Sequence, residues 1–299
     1  MIRLQHRCVS AFVCLWVGFV ALLAPVEEPA AQEKSFLWQV RSDKGTTYLL
    51  GSIHLLKKEN YPLKKIIDDS FDEAKGLLFE IDINNSRPEK IHQLMLQKGM
   101  NNDGTTLQQN VSKETYALLE DRTKELGLNI AAFSLLKPWF TALTIQALKL
   151  QKLGFDSSFG VDHYLARRAQ RAGKPTGGLE TTEFQIGLFD QLSVRDQELM
   201  LRQTLKQLDL LDQSVDRIVQ SWSTGDVDSL EGLLLASMRE YPEVYQKLLV
   251  DRNRRWLPKI ERIIQQGERT MIVVGAAHLV GKDGLISLLR ARGYKVEPL

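Results

Sequence analysis

Beyond its first 31 residues the chain contains no cysteine, since Cys8 and Cys14 are the two in the whole 299-residue sequence. Thiolate metal ligands, a cysteine nucleophile and disulfide staples are therefore excluded from the body, and any metal there must be held by histidine and carboxylate. A basic excess is lacking too. Lys plus Arg number 39 against 37 Asp plus Glu, a net charge of +2, which leaves no surplus for a phosphate backbone and argues against nucleic acid as a partner. No apolar run reaches the ~18–20 residues of a spanning helix, which excludes a polytopic membrane protein. Gly-X-Gly patterns with the spacing of a dinucleotide or P-loop fingerprint are missing, so nicotinamide redox and nucleotide chemistry lose their usual support. What remains is ordinary globular composition, 43% apolar and 25% charged, enough for one large α/β domain or two small ones.

Residues 1–31 read as a signal peptide or an N-terminal membrane anchor. Arg3 and Arg7 precede Ala11–Ala24, an uncharged stretch within the ~7–15 residues of a signal h-region. The expectation is an exported protein, periplasmic or membrane-anchored, whose domain is residues 32–299.

Leu37–Arg41 and Thr46–Leu50 flank Ser42-Asp43-Lys44-Gly45 and read as a β-hairpin. Residues 61–75 read as a helix, and Gly76 opens a strand, Leu77–Ile83. Helical periodicity dominates from 87 to 172 and from 181 to 266. Ser112 opens one helix, Pro138 another, and Gly267 ends the last. Residues 174–179 form a short strand. The chain closes with strand Thr270–Val274, helix Gly284–Ala291 and strand Tyr294–Val296. Strands at both ends around a helical middle predict an α/β fold: a mixed central sheet formed by N- and C-terminal strands, with a long, mainly helical insertion.

The strongest chemical signal is an internal echo. Tyr48-Leu49-Leu50-Gly51-Ser52-Ile53-His54-Leu55 lines up with Ile272-Val273-Val274-Gly275-Ala276-Ala277-His278-Leu279. In each, an apolar strand ends on a glycine that lets the chain turn, and a histidine follows at the rim of the sheet, where α/β sites usually lie. Either the two histidines converge because their strands are neighbours, or each is satisfied locally. Between them in sequence, Leu77–Ile83 alternates so that Glu80 and Asp82 share one face. Those acids either face water or are paired with a cation. Two imidazoles and a carboxylate would suit Zn²⁺, Mn²⁺ or Co²⁺.

The GSIH and GAAH motifs, the FEID strand and Gly178-Leu179-Glu180-Thr181 together resemble the TraB/PrgY/GumN family, which includes the Tiki proteases. Gly160-Val161-Asp162, Gly173-Lys174-Pro175 and Asp251-Arg252-Asn253 look like family motifs as well, and the resemblance spans about 35–299. It implies an erythromycin esterase/ChaN-like fold and a metal-dependent peptidase. It also implies a site of His54, Glu80 and His278, with Arg252 stabilising the oxyanion. Glu80 would be a metal ligand or a general base. Glu180 would orient a histidine or sit as a carboxylate at a helix N-terminus. Asp162 would cap its helix or pair near the site, whereas His92, His163 and Lys137-Pro138-Trp139 read as structural. The substrate would be a peptide or small molecule. Alternatives on the same scaffold are a non-catalytic binder of haem or a peptide pheromone, and an accessory protein of polysaccharide biosynthesis.

Overall fold

The computed structural model describes residues 34–299, so the expected export segment lies outside the described residues. Strands β1 (Leu37–Ser42) and β2 (Gly45–Ser52) form the expected hairpin, antiparallel with Ser42 opposite Gly45. Helix α1 (Lys65–Glu73) leads to β3 (Gly76–Phe79). The helical middle follows: α2 (Pro88–Gly99), α3 (Leu107–Asn110), α4 (Lys113–Glu125), α5 (Pro138–Lys152) and α6 (Val161–Arg171). A short strand, β4 (Thr176–Gly178), separates these from α7 (Thr182–Asp190), α8 (Val194–Gln207), α9 (Leu211–Thr224), α10 (Val227–Arg239), α11 (Pro242–Tyr245) and α12 (Asp251–Gln266). Strand β5 (Thr270–Gly275), α13 (Leu285–Ala291) and β6 (Val296–Pro298) end the chain.

The strands form one mixed sheet in the order β4-β3-β5-β2-β1-β6. Its four-strand run β4-β3-β5-β2 is parallel, while β1 is antiparallel to both of its neighbours, β2 and the edge strand β6. Every residue of β5 is buried, as a central parallel strand covered on both faces requires. Capping follows the sequence: Ser112 Oγ accepts from Thr115 N–H at the start of α4, Pro138 occupies the first turn of α5, and Gly267 ends α12 at φ 73°. Several expected spans shift. The helix expected over 61–75 starts at Lys65, and the final strand starts at Val296. A second cluster, with Leu119, Phe133, Ile145 and Leu201 at its centre, gives the helical insertion its own core. Among the described residues no helix is long and apolar enough to cross a membrane.

Candidate active site

The parallel strands deliver the site. Ser52 at the end of β2 lies opposite Gly275 at the end of β5, and Phe79 at the end of β3 lies opposite Val273. The next few residues of each strand carry His54, Glu80 and His278 to one rim of the sheet. Each motif glycine sits at a close approach. A Cβ on Gly51 would lie 2.3 Å from Phe36 Cδ1. A Cβ on Gly275 would lie 3.1 Å from His54 Nε2, 3.2 Å from Glu80 Oε1 and 3.7 Å from His278 Cδ2. The three side chains thus surround a cradle that exists because position 275 has no side chain.

Strand β3 ends sooner than the alternation of Leu77–Ile83 suggests. Glu80 is the first residue past it, and the chain bends there. Glu80 and Asp82 consequently do not share a site: Asp82 accepts from Thr176 Oγ1 at 2.9 Å and from Asn85 Nδ2 at 2.6 Å. Glu80 turns inward. Its Oε1 accepts from Gly275 N–H at 2.7 Å, and its Oε2 from Gln185 Nε2 at 2.9 Å and from Arg252 Nη2.

Arg252 is the hub of a buried network. Its Nη2 also donates to Glu180 Oε1 at 2.7 Å, and its Nε donates to the same oxygen at 3.1 Å. Its Nη1 donates to Leu248 O at 3.1 Å and to His278 Nε2 at 2.8 Å. All five guanidinium N–H groups are then engaged within the protein, which leaves none aimed at a substrate oxyanion. Trp256 Nε1 donates to the other Glu180 oxygen at 3.0 Å, and the guanidinium stacks 4.6 Å from the Trp256 ring. A π-helical turn over Gln246–Val250 precedes α12 and sets the phase at which Arg252, Asn253 and Trp256 face inward.

The hydrogen bonds fix the protonation of His278. Asn253 Nδ2 donates to the carbonyls of His278 and Asp283, so its Oδ1 is left to accept from His278 Nδ1–H at 2.7 Å. Nε2 therefore carries the lone pair and accepts from Arg252. Burial pushes this imidazole down to about 3; the negative charge of Glu80 opposes that, and the positive charges of Arg252 and His54 add to it. Glu80 is pushed down to about 2. Burial alone would raise it, but His278, the permanently charged Arg252, His54 and the Gly275 N–H outweigh that.

His54 differs, with 53% of its side chain exposed. Its Nδ1 is held by Asp162 Oδ2 at 2.9 Å from the first turn of α6. Desolvation would lower its pKa, but the charge and hydrogen bond of Asp162, with Glu80 behind, raise it to about 9. Its Nε2 faces the cradle.

The donor atoms do not make a metal site as arranged. Among the described residues no three His, Asp or Glu side chains are grouped to hold an ion. The reason is visible: Arg252 covers the His278 lone pair and one Glu80 oxygen, and Gly275 N–H holds the other.

Asp162, expected as a cap or a partner near the site, holds His54, while sequence reasoning missed Gln185, Asn253 and Trp256. Asn253 adjoins Arg252 in a motif already singled out, and Gln185 lies one turn into the helix that follows Gly178-Leu179-Glu180-Thr181. His92 and His163 line a cavity beside the cluster but do not enter it.

The family model described as TraB/PrgY/gumN matches residues 36–298. The uncharacterized protein YbaP of Escherichia coli (strain K12) is 27% identical over 81% of this chain and 87% of its own length. Metalloprotease TIKI2 of Xenopus tropicalis is 23% identical over 99% of this chain and 67% of its own length. An uncharacterized protein of Treponema pallidum (strain Nichols) is 21% identical over 96% of this chain and 91% of its own. No solved structure matches.

Proposed function

The chain belongs to the TraB/PrgY/gumN family, and from that membership and the geometry of the cluster we propose that it is a hydrolase that cleaves peptide bonds. The observation that carries this reading is His54: its Nδ1 is fixed by Asp162 while its Nε2 faces a cradle shared with Glu80. That is the arrangement of a proton-transfer residue. Nε2 takes a proton from the attacking water and returns it to the leaving amine, while Asp162 balances the imidazolium. Glu80 stays ionised and holds Gly275 and Arg252 in place, and Arg252 in turn orients His278.

Relatives named as metalloproteases extend the reading to a divalent ion such as Zn²⁺, Mn²⁺ or Co²⁺. The present arrangement of Arg252 does not fit one. An ion would gain a second imidazole only after Arg252 left His278 Nε2, so no step is assigned to it. On this reading the leader-like residues 1–31 carry the chain out of the cytoplasm, a proposal that fractionation of cells carrying the full chain checks.

The decisive experiment is hydrolysis of a mixed peptide library by the purified chain, wild type beside His54→Ala, before and after chelation and with elemental analysis. Cleavage that survives chelation and disappears in His54→Ala supports proton transfer by His54. Cleavage lost on chelation and restored by Zn²⁺, Mn²⁺ or Co²⁺ replaces it with the metal-dependent form. No cleavage of any peptide overturns the hydrolase reading in favour of ligand binding, for which haem and apolar peptides are the probes.

A further inference from the structure

Two cavities meet at His54 and Glu80. The larger, about 700 Å³, is walled by Phe79, Ile83, Ile91, Met95 and Phe140. The smaller, about 520 Å³, is walled by Leu150, Phe189, Ile218, Leu234 and Leu249. Ser52, His54, Leu55, Glu80 and Gln185 line both, so the candidate catalytic groups are the partition between them. Each cavity lies in the ordinary size range of a small-molecule site. The charged and ionisable groups along the smaller are those of the cluster itself, His54, Glu80, Arg252 and His278.

We infer that the substrate is a peptide carrying large apolar side chains on both sides of the scissile bond. This rests on the hydrolase reading above and deepens it. A bond held at the partition must send its two flanking groups in opposite directions, one into each apolar cavity. The carboxylates that line the cavities, Glu80 and Asp162, are already paired with Arg252 and His54, so a charged side chain on either side would compete with those pairs for a counter-ion, which is costly. The partition also carries an unused polar anchor. Ser52 Oγ is buried, 2% of the residue is exposed, and the hydroxyl has no hydrogen-bond partner. Peptide N–H and C=O groups need partners when enclosed. A main-chain group beside the scissile bond supplies one to Ser52, whereas a pure hydrocarbon chain leaves that hydroxyl unsatisfied.

The test is a panel of short peptides with Ala, Leu, Phe, Lys or Asp on each side of one bond, read as kcat/KM for the purified chain. Leu and Phe should exceed Lys and Asp by about 10- to 100-fold at both positions. Ile91→Lys and Ile218→Lys, each lining one cavity, should each shift the preference toward Asp on one side of the bond and leave the other unchanged. A peptide with the scissile amide reduced to an amine, flanked by Leu and Phe, is titrated in parallel by calorimetry, with its Lys-flanked counterpart as reference. Selective binding without cleavage supports the apolar preference while the hydrolase reading fails. Cleavage without discrimination, absence of selective binding, or faster hydrolysis of a fatty-acyl ester than of any peptide would overturn the inference.

Discussion

Arg252 Nη1 lies 2.8 Å from His278 Nε2, and the same guanidinium grips Glu80 and Glu180. The histidine of the second Gly-x-x-His motif therefore spends its lone pair on an arginine. Arg252 is 7% exposed, Glu80 8% and His278 5%, so the pairing lies where an unmatched charge is expensive. Removing one partner of a buried ion pair costs about 3–5 kcal/mol, because the survivor stays buried alone. For a domain of this size each kcal/mol corresponds to about 2–4 °C.

Arg252→Ala should therefore lower the melting temperature by roughly 6–20 °C. Arg252→Lys should recover little of that, because an ammonium cannot serve Glu80, Glu180, Leu248 and His278 from one plane. Thermal unfolding of the two variants checks both statements. A loss below about 2 °C in Arg252→Ala would show that the network contributes little to stability.

The same relationship predicts metal behaviour. With the guanidinium gone, His278 Nε2 loses the donor that covers it, and Glu80 Oε2 keeps only Gln185. Added Zn²⁺ or Mn²⁺ should bind the variant more tightly than the wild type, by calorimetry and by elemental analysis after gel filtration. Equal affinity in the two proteins would mean that Arg252 does not exclude an ion.

Asp162 supports His54 without sharing the burial of the rest. Asp162→Asn keeps a similar shape but removes the charge that favours the imidazolium, so kcat should fall about 10²–10⁴-fold. His54→Ala, at a half-exposed position, should lower stability by about 1 kcal/mol or less below pH 6.5, where the pair with Asp162 is intact, and by less as pH rises. Hydrolysis rates beside melting curves test the pair. A fold-wide destabilisation by His54→Ala would assign the residue a structural role.

Much of this was legible beforehand. The echo of Gly51–His54 in Gly275–His278 marked two strand ends, and β2 and β5 are parallel neighbours. The arrangement of Glu80 was hidden because alternation assumes that a strand continues. The run Leu77–Ile83 looks uniform in sequence, yet the ladder stops at Phe79, and a bend frees Glu80 from the period-2 rule. Arg252 was marked only through the Asp251-Arg252-Asn253 motif, with no local signal of its burial. Its burial depends on Glu180, 72 residues away, and on a π-helical turn that no local propensity announces. Asp162 meets His54 across 108 residues, brought together where Val161 N–H, at the start of α6, donates to Ile53 O just past β2.

The pH response follows from His54 and His278. His54 holds its proton up to about 9 in the folded chain, against an ordinary 6.5. Its contribution to stability is fully present below 6.5 and is lost as pH rises through about 9. The base form needed for proton abstraction grows over the same interval, so kcat/KM should rise with pH while stability falls. His278 acts oppositely: folded, it resists protonation down to about 3, so stability should also fall as pH drops below 6.5. Maximum stability near pH 6.5, with an activity limb extending well above it, is the expected pattern. Asp162→Asn should move that limb toward 6.5. An unmoved limb would take the titrating group away from His54.

Gly51 and Gly275 occupy equivalent places in the two motifs and should fail differently when changed to alanine. At Gly51 the new Cβ would lie 2.3 Å from a Phe36 ring atom and 3.1 Å from the Ala276 Cα. Phe36 is fully buried and has nowhere to retreat, so Gly51→Ala should destabilise by about 1–3 kcal/mol, the usual range for overpacking. At Gly275 the nearest atoms are His54 Nε2 at 3.1 Å and Glu80 Oε1 at 3.2 Å. These contacts are tight but not prohibitive, since shifts of a few tenths of an ångström relieve them. Gly275→Ala should keep most of the stability and fill the cradle, costing about 10²-fold in hydrolysis through misplacement of the reacting groups. The comparison reads melting temperature against kcat for both variants. If Gly275→Ala retained wild-type hydrolysis, the cradle between His54 and Glu80 could not be where the bond is cut.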